Sequence, residues 1–148
     1  MVEIHTVDVA AIRDVNQEFL VAWFAHVAEV EEKVLGDVNV IFCSDEHLLE
    51  MNRTHLNHDY YTDIITFDYT ENNIVSGDLF ISVDRVSENA SDLSLTFAEE
   101  LHRVSVHGLL HLCGYKDKSE SDEQLMRSKE DQMLELRRFH VKHLNQDL

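Results

Sequence analysis

Proline is absent from the 148 residues, cysteine occurs twice, and Lys and Arg together number 12 against 29 Asp and Glu. Each shortage removes a class of protein. Without proline there is no Pro-Cys-x-x-Cys, which excludes the zinc deaminase pattern. Two lone thiols, Cys43 and Cys113, make no disulfide framework. Cys113 follows His111 by two residues, on another helix face, and reads as a small buried hydrophobe rather than a ligand. No apolar run approaches the roughly 18–20 residues that span a bilayer, and the start Met-Val-Glu-Ile-His is not a basic-then-apolar leader. A cytoplasmic protein with no membrane partner is the expectation. There are no repeats and no low-complexity segments. With 44% apolar and 28% charged residues, the chain reads as one domain over residues 1–148, long enough to bury a core.

The shortage of bases is uneven. Residues 1–100 hold 21 acids and 4 bases, which accounts for the whole net charge of −17; residues 101–148 hold 8 of each, and five of the ten histidines. Most of the acidic excess is a solvated surface that aids solubility. A polyanion can approach only the neutral last third without strong repulsion.

Periodicity gives an α+β layout: a mixed sheet of about four strands packed with about five helices. Strands are expected over Val2–Val7, Asp37–Cys43, Thr62–Phe67 and Gly77–Val83. The short Asp68–Ser76 link makes the last two antiparallel neighbours. A long amphipathic helix is expected over Ala10–Lys33, with Gly36 separating it from the second strand. Shorter helices suit residues 44–55 and 84–92. Thr96-Phe-Ala-Glu99 has the spacing of a capping box and opens a helix that runs to Gly114. A last helix over Ser121–His143 should turn Leu125, Met126, Met133, Leu136 and Phe139 inward. His140 and His143, near its end, complement the helix dipole and take no catalytic role.

Within this frame stands His107-Gly-Leu-Leu-His111-Leu-Cys-Gly114-Tyr-Lys-Asp117. Histidines at i and i+4 share one helix face, roughly 5–6 Å apart at Cβ, and both rings can hold one metal ion. Gly114 can take the left-handed conformation that ends a helix, letting the chain fold back and bring Asp117 to the same ion. Ten histidines in this length give about 0.7 such pairs by chance, but requiring the glycine and the third ligand lowers that to on the order of 0.005. Three protein ligands leave a fourth position for water, the arrangement of a catalytic zinc site. One divalent ion is therefore expected, with zinc first and nickel, manganese or iron also suited to imidazole and carboxylate. Gly108 stands where His-Glu-x-x-His peptidases carry their general base, which disfavours peptide hydrolysis and leaves phosphodiester hydrolysis open. No general base or acid is assigned.

His107–Tyr115 resembles the His-Gly-x-Leu-His-Leu-x-Gly-Tyr signature of the YbeY family of bacterial endoribonucleases. Thr62-Asp-Ile-Ile-Thr-Phe67 is similar to that family's Thr-Asp-Val-Leu-Ser-Phe strand, and Gly77-Asp-Leu-Phe-Ile-Ser82 to its Gly-Asp-Ile-x-Ile-Ser strand. Leu49-Glu-Met-Asn52 looks like the Leu-Asn before the family's loop, and order and spacing hold from about residue 37 to 135. The resemblance implies an α+β fold and a zinc-like ion held by three residues. It also implies a single-strand-specific endoribonuclease acting in ribosomal RNA maturation, at the small-subunit RNA 3′ end, and in ribosome quality control. The implied partners are single-stranded and ribosomal RNA with the small subunit or its proteins, not DNA.

Three positions depart from the pattern. Asp117 stands where the family usually has a third histidine, Leu56 where it usually has an arginine, and Tyr61 where it has a proline. Aspartate remains a competent ligand; leucine cannot clamp a phosphate. Arg53, three residues before Leu56 on the same helical face, is the candidate replacement, with His58 and Lys116 as further substrate contacts. Lys118 is a similar candidate. The solvated-surface reading of these cations stands beside the functional one. Asp63 and Asp78 either orient ligands or substrate or satisfy backbone groups. Tyr115 is expected to pack after the cap glycine. Two other functions fit the same residues: a metal-stabilised ribosome-assembly factor that binds without cutting, and a hydrolase with another substrate.

Overall fold

A computed structural model of the protein describes residues 1–12 and 15–144, with the side chains of His143 and Leu144 excepted. Strand β1 (Val2–Thr6) is followed by helix α1 (Gln17–Val30), β2 (Val34–Cys43), α2 (Asp45–Leu56), β3 (Ile64–Asp68) and β4 (Ile74–Ser82). Helices α3 (Val83–Asp92), α4 (Phe97–Leu112), α5 (Glu120–Glu135), a 3-10 turn (Leu136–His140) and α6 (Val141–Leu144) complete the described chain. The sheet order is β1-β2-β4-β3. β1 and β4 both run parallel to β2, and β3 runs antiparallel to β4, so the expected mixed sheet of four strands forms.

Strand alternation sets which face carries what. Val38, Val40 and Phe42 of β2 and Val75, Leu79 and Ile81 of β4 join Phe19, Trp23 and Phe24 of α1 and Leu101, Val104 and Leu109 of α4 in the main core. On the other face, Cys43, Leu48 and Ile65 form a small second cluster under α2. Phe67 and Phe80 pack beside that cluster, and a polar row lies elsewhere on the same face. His5 Nε2 lies 3.1 Å from Asn39 Oδ1, and Asn39 Nδ2 donates to Asp78 Oδ1 at 3.0 Å, a row across β1, β2 and β4.

Three boundaries and the facing of two side chains differ from expectation in ways that have a physical reason. Helix α1 starts at Gln17, not Ala10, because the Asn16 side chain accepts the Phe19 N–H and caps it there. Residues 10–12 are not helical, and 13 and 14 lie outside the described residues. Gly36 does not precede β2 but lies in it, at an irregularity between Leu35 and Val38. A Cβ there would come within 2.8 Å of the Val75 carbonyl oxygen, so the close approach of β4 requires glycine. The expected last helix is cut at Glu135. Trp23 Nε1 takes the Met133 carbonyl and Arg137 Nε that of Leu134, and the chain tightens into a 3-10 turn. Finally, Leu125 and Phe139 are exposed rather than inward. The buried stripe of α5 is Met126, Glu130 and Met133, at i, i+4 and i+7.

Candidate metal centre

Helix α4 begins as its sequence indicates: Thr96 Oγ1 accepts the Glu99 N–H and the Glu99 carboxylate accepts the Thr96 N–H. Its end is built by Gly114, at φ +106°. The Gly114 N–H reaches the His111 carbonyl at 3.0 Å and the Tyr115 N–H the Leu110 carbonyl at 3.1 Å, the paired bonds of a Schellman cap. The Tyr115 ring packs against the core, as expected, and its hydroxyl donates to Glu31. The reversed chain then carries Asp117 back over the last turns of α4.

The result is a triangle of donor atoms. His107 Nε2 and His111 Nε2 are 3.1 Å apart, and Asp117 Oδ2 lies 3.2 Å from each. Both remaining ring nitrogens are engaged elsewhere. His111 Nδ1 is 3.0 Å from the Tyr115 carbonyl oxygen, which only accepts, so Nδ1 carries the proton. His107 Nδ1 is 2.6 Å from Glu130 Oε2 and donates to it. Each Nε2 therefore turns a lone pair toward Asp117 and toward the other ring. Three acceptor atoms facing one another repel unless a cation sits among them. Zinc–nitrogen and zinc–oxygen bonds of about 2.0–2.2 Å at tetrahedral angles separate ligand atoms by roughly 3.3–3.5 Å, so the residues present fit a small divalent ion. The three side chains are partly exposed, so solvent reaches them.

Behind the triangle lies a buried charge network that the sequence reading missed. Glu130 is 5% exposed and Glu100 fully buried. Arg103 spans them, donating through Nε and Nη2 to Glu100 at 2.9 Å and through Nη1 to Glu130 at 3.4 Å. Glu100, Arg103, His107 and His111 thus form one stripe of α4 at three- and four-residue steps. Burial on its own would push the His107 imidazole below its ordinary range; the Glu130 hydrogen bond and charge, with Asp117 and Asp63, outweigh it and raise the pKa. The signal for Glu130 was present: a carboxylate at the inward step between Met126 and Met133 needs a buried partner.

Other candidates separate by position. Asp63 enters β3 next to α4; burial raises its pKa, opposed by the charges of His107 and Arg103. Asp78 is on the opposite side of the sheet. Its neighbours Gly77 and Leu79 face Leu112 and Gly108 of α4, so alternation turns Asp78 away, into its bond with Asn39. It belongs to no ligand set. Arg53 sits on α2 with Nε bonded to Asp59 Oδ1 and Nη1 3.9 Å from Glu50. His58 stacks on Tyr60, and Lys116 and Lys118 are exposed beside Asp117. Burial pushes the Cys113 thiol up to about 11 and it packs against the core, so it stays protonated, as its face suggested. His140 Nε2 meets His26 Nδ1 at 2.9 Å; the His143 side chain lies outside the described residues.

Gly108 has a structural reason of its own. A Cβ there would meet Ile64 Cδ1 at 2.7 Å and Leu79 Cδ2 at 3.0 Å, so this residue is the point at which α4 rests on the sheet. A side chain at that position would point into the core, and not toward the triangle.

Comparison with known proteins gives the family. The family model described as Endoribonuclease YbeY matches residues 2–137. A protein of that name from Flavobacterium johnsoniae is 53% identical over 126 residues, covering 85% of this chain and 89% of its own. Another from Flavobacterium psychrophilum is 55% identical over 120 residues, 81% and 84% of the two chains. The solution structure of a Thermotoga maritima protein superposes with a TM-score of 0.65 at 25% identity, covering 96% of this chain and 92% of that one. Matched in this way over nearly its whole length, the chain belongs to the YbeY endoribonuclease family.

Proposed function

We propose that the protein is a metal-dependent endoribonuclease that cuts single-stranded RNA, with His107, His111 and Asp117 holding one divalent ion, zinc in preference to nickel, manganese or iron. The observation that carries this reading is the triangle of two imidazole lone pairs and one carboxylate oxygen, 3.1–3.2 Å on a side, whose outer nitrogens are already bonded. When bound, such an ion supplies Lewis acidity and lowers the pKa of a coordinated water from 15.7 toward about 7.

The chain's own residues do the rest. Glu130 and the Tyr115 carbonyl hold each imidazole in one tautomer and one orientation. Asp117 contributes a negative charge, which makes this set a weaker Lewis acid than three neutral histidines. Lys116 beside it, with Arg53 and His58, contacts the RNA; Arg53 has five donors, and Asp59 and Glu50 face only part of the fork. Acidic surface elsewhere repels the phosphate backbone, so these few cations guide where it lies. The substrate is ribosomal RNA at the 3′ end of the small-subunit species, and the role is maturation and quality control of ribosomes in the cytoplasm. Among the described residues no helix is long and apolar enough to cross a membrane.

Leu56 favours a second reading. It sits where the family's arginine is expected, 41% exposed at the end of α2, and offers no phosphate contact. A metal-stabilised ribosome-assembly factor that binds without cutting suits that residue. Incubating metal-loaded protein with single-stranded RNA separates the two. Cleavage by wild type that disappears in His111→Ala supports the enzyme. Binding without cleavage, or equal residual cleavage in both, supports the assembly factor.

A further inference from the structure

The loop between α2 and β3 presents aromatic rings to solvent while its backbone is tied down. Tyr60 is 55% and Tyr61 48% exposed. The rings of His58 and Tyr60 stack at 5.2 Å between centroids and 22° between planes, and the Tyr60 hydroxyl meets His58 Nδ1 at 3.0 Å. Exposed aromatic surface is unfavourable in water, and a loop of this length has no need of it to close.

Three ties hold the pair in place. Asn52 is 1% exposed and spends its buried amide on the Tyr60 carbonyl, at 2.8 Å. The His58 N–H reaches the Asn52 carbonyl at 3.0 Å past Asn57, which caps α2 in the left-handed conformation. Arg53 bonds Asp59 between the two rings' residues. A desolvated side-chain amide used to fix a surface loop indicates that the position of its rings matters.

The loop leads into the strand that packs against the helix bearing the two histidines. Tyr60 precedes Ile64 by four residues, at most about 14 Å of extended chain. Ile64 rests against α4 at Gly108, the residue next to His107.

We propose that the stacked His58–Tyr60 pair is a platform for the bases of a single RNA strand, seating that strand beside the His107–His111–Asp117 triangle. This rests on the ribonuclease reading above and adds where the bases go. Stacking suits an acidic protein, because it draws on the faces of the bases and needs few phosphate contacts. It also selects for single strands, since bases inside a duplex have no free face to offer.

The test is fluorescence anisotropy with a labelled oligoadenosine RNA, with the metal removed by chelator so that the strand stays intact. The same length of base-free ribose-phosphate chain serves as the control. Tyr60→Ala should bind the RNA roughly tenfold more weakly than wild type. Tyr60→Phe, which keeps the ring, should stay within about twofold, and the base-free chain should bind wild type as weakly as RNA binds Tyr60→Ala. Equal RNA affinity for wild type and Tyr60→Ala, or equal affinity of wild type for the RNA and the base-free chain, overturns the platform. Cleavage by metal-loaded wild type, measured on the same preparation, is a separate readout: its absence sinks the ribonuclease reading and leaves the affinity comparison intact.

Discussion

Glu130 Oε2 stands 2.6 Å from His107 Nδ1, a bond between α5 and α4 across 23 residues of sequence. The carboxylate is buried and shares Arg103 with Glu100. It keeps the proton of His107 on Nδ1, so that Nε2 faces Asp117 and His111. An imidazole free to rotate or change tautomer would offer its lone pair to the ion only part of the time.

Replacing Glu130 by glutamine should therefore weaken metal binding. The substituted amide is a poorer acceptor and can turn its N–H₂ toward the ring. Loss of an outer partner of this kind typically costs about 10–100-fold in affinity. Competition against a chromogenic chelator measures it, and an affinity equal to that of wild type removes the role assigned to Glu130.

Removing the ion should lower stability as well as activity. Stripped of metal, the folded protein keeps three acceptor atoms in mutual contact, and the unfolded chain does not. Added zinc should raise the melting temperature in a concentration-dependent way, by about 2.7 kcal/mol of unfolding free energy at a hundred times Kd. In His111→Ala and Asp117→Ala the rise should be small. A melting temperature indifferent to zinc in wild type contradicts the centre.

Two glycines near the triangle should respond to alanine for different reasons. At Gly108 the added methyl collides with Ile64 and Leu79, an overpacking cost of about 1–3 kcal/mol. At Gly114 no atom lies within 4 Å of the new Cβ, and the cost is the left-handed backbone alone, about 1–2 kcal/mol. Gly108→Ala should leave Asp117 in place and keep metal stoichiometry; Gly114→Ala should loosen the returning chain and weaken binding. Urea unfolding together with metal titration distinguishes them, and identical behaviour of the two variants would contradict this division.

His102 sets a pH dependence away from the metal. Burial, then the charge of Arg137, pushes it down to about 4, and its Nδ1 accepts the Arg137 Nη1 donor at 2.8 Å. The unfolded chain takes up this proton near pH 6.5 and the folded chain only near 4. Its contribution is complete above about pH 6.5 and is lost as pH falls to about 4, roughly 3 kcal/mol across that window. Urea unfolding of wild type and His102→Leu at several pH values checks this. The slope over that range should be shallower in the variant, and an unchanged slope assigns the proton uptake elsewhere.

The local devices around the site were legible in the chain. Thr96 and Glu99, His107 and His111, Gly114 and Asp117 are each separated by a few residues, and helix geometry converts those spacings directly into direction. The antiparallel pairing of β3 and β4 follows in the same way from the short link between them. Asp63 and Asp78 look equivalent in the chain because each follows a similar position in a strand motif. Only the sheet distinguishes them: α4 covers one face, and alternation puts Asp78 on the other.

What the sequence determined by itself is therefore the helix that carries two imidazoles, the turn that ends it and the acidic residue that returns, because neighbours in the chain dictate these through backbone geometry. The tertiary structure decided which partners fix them. Glu130 meets His107 from 23 residues away and Arg103 from 27, and Glu31 meets Tyr115 from 84, and no local pattern records which buried charge will meet which. It also decided that Gly108 touches the sheet, that α5 turns a glutamate inward, and that the chain tightens after Glu135 where Trp23 and Arg137 take its carbonyls. Such choices depend on which faces are buried together, and burial is a property of the packed molecule.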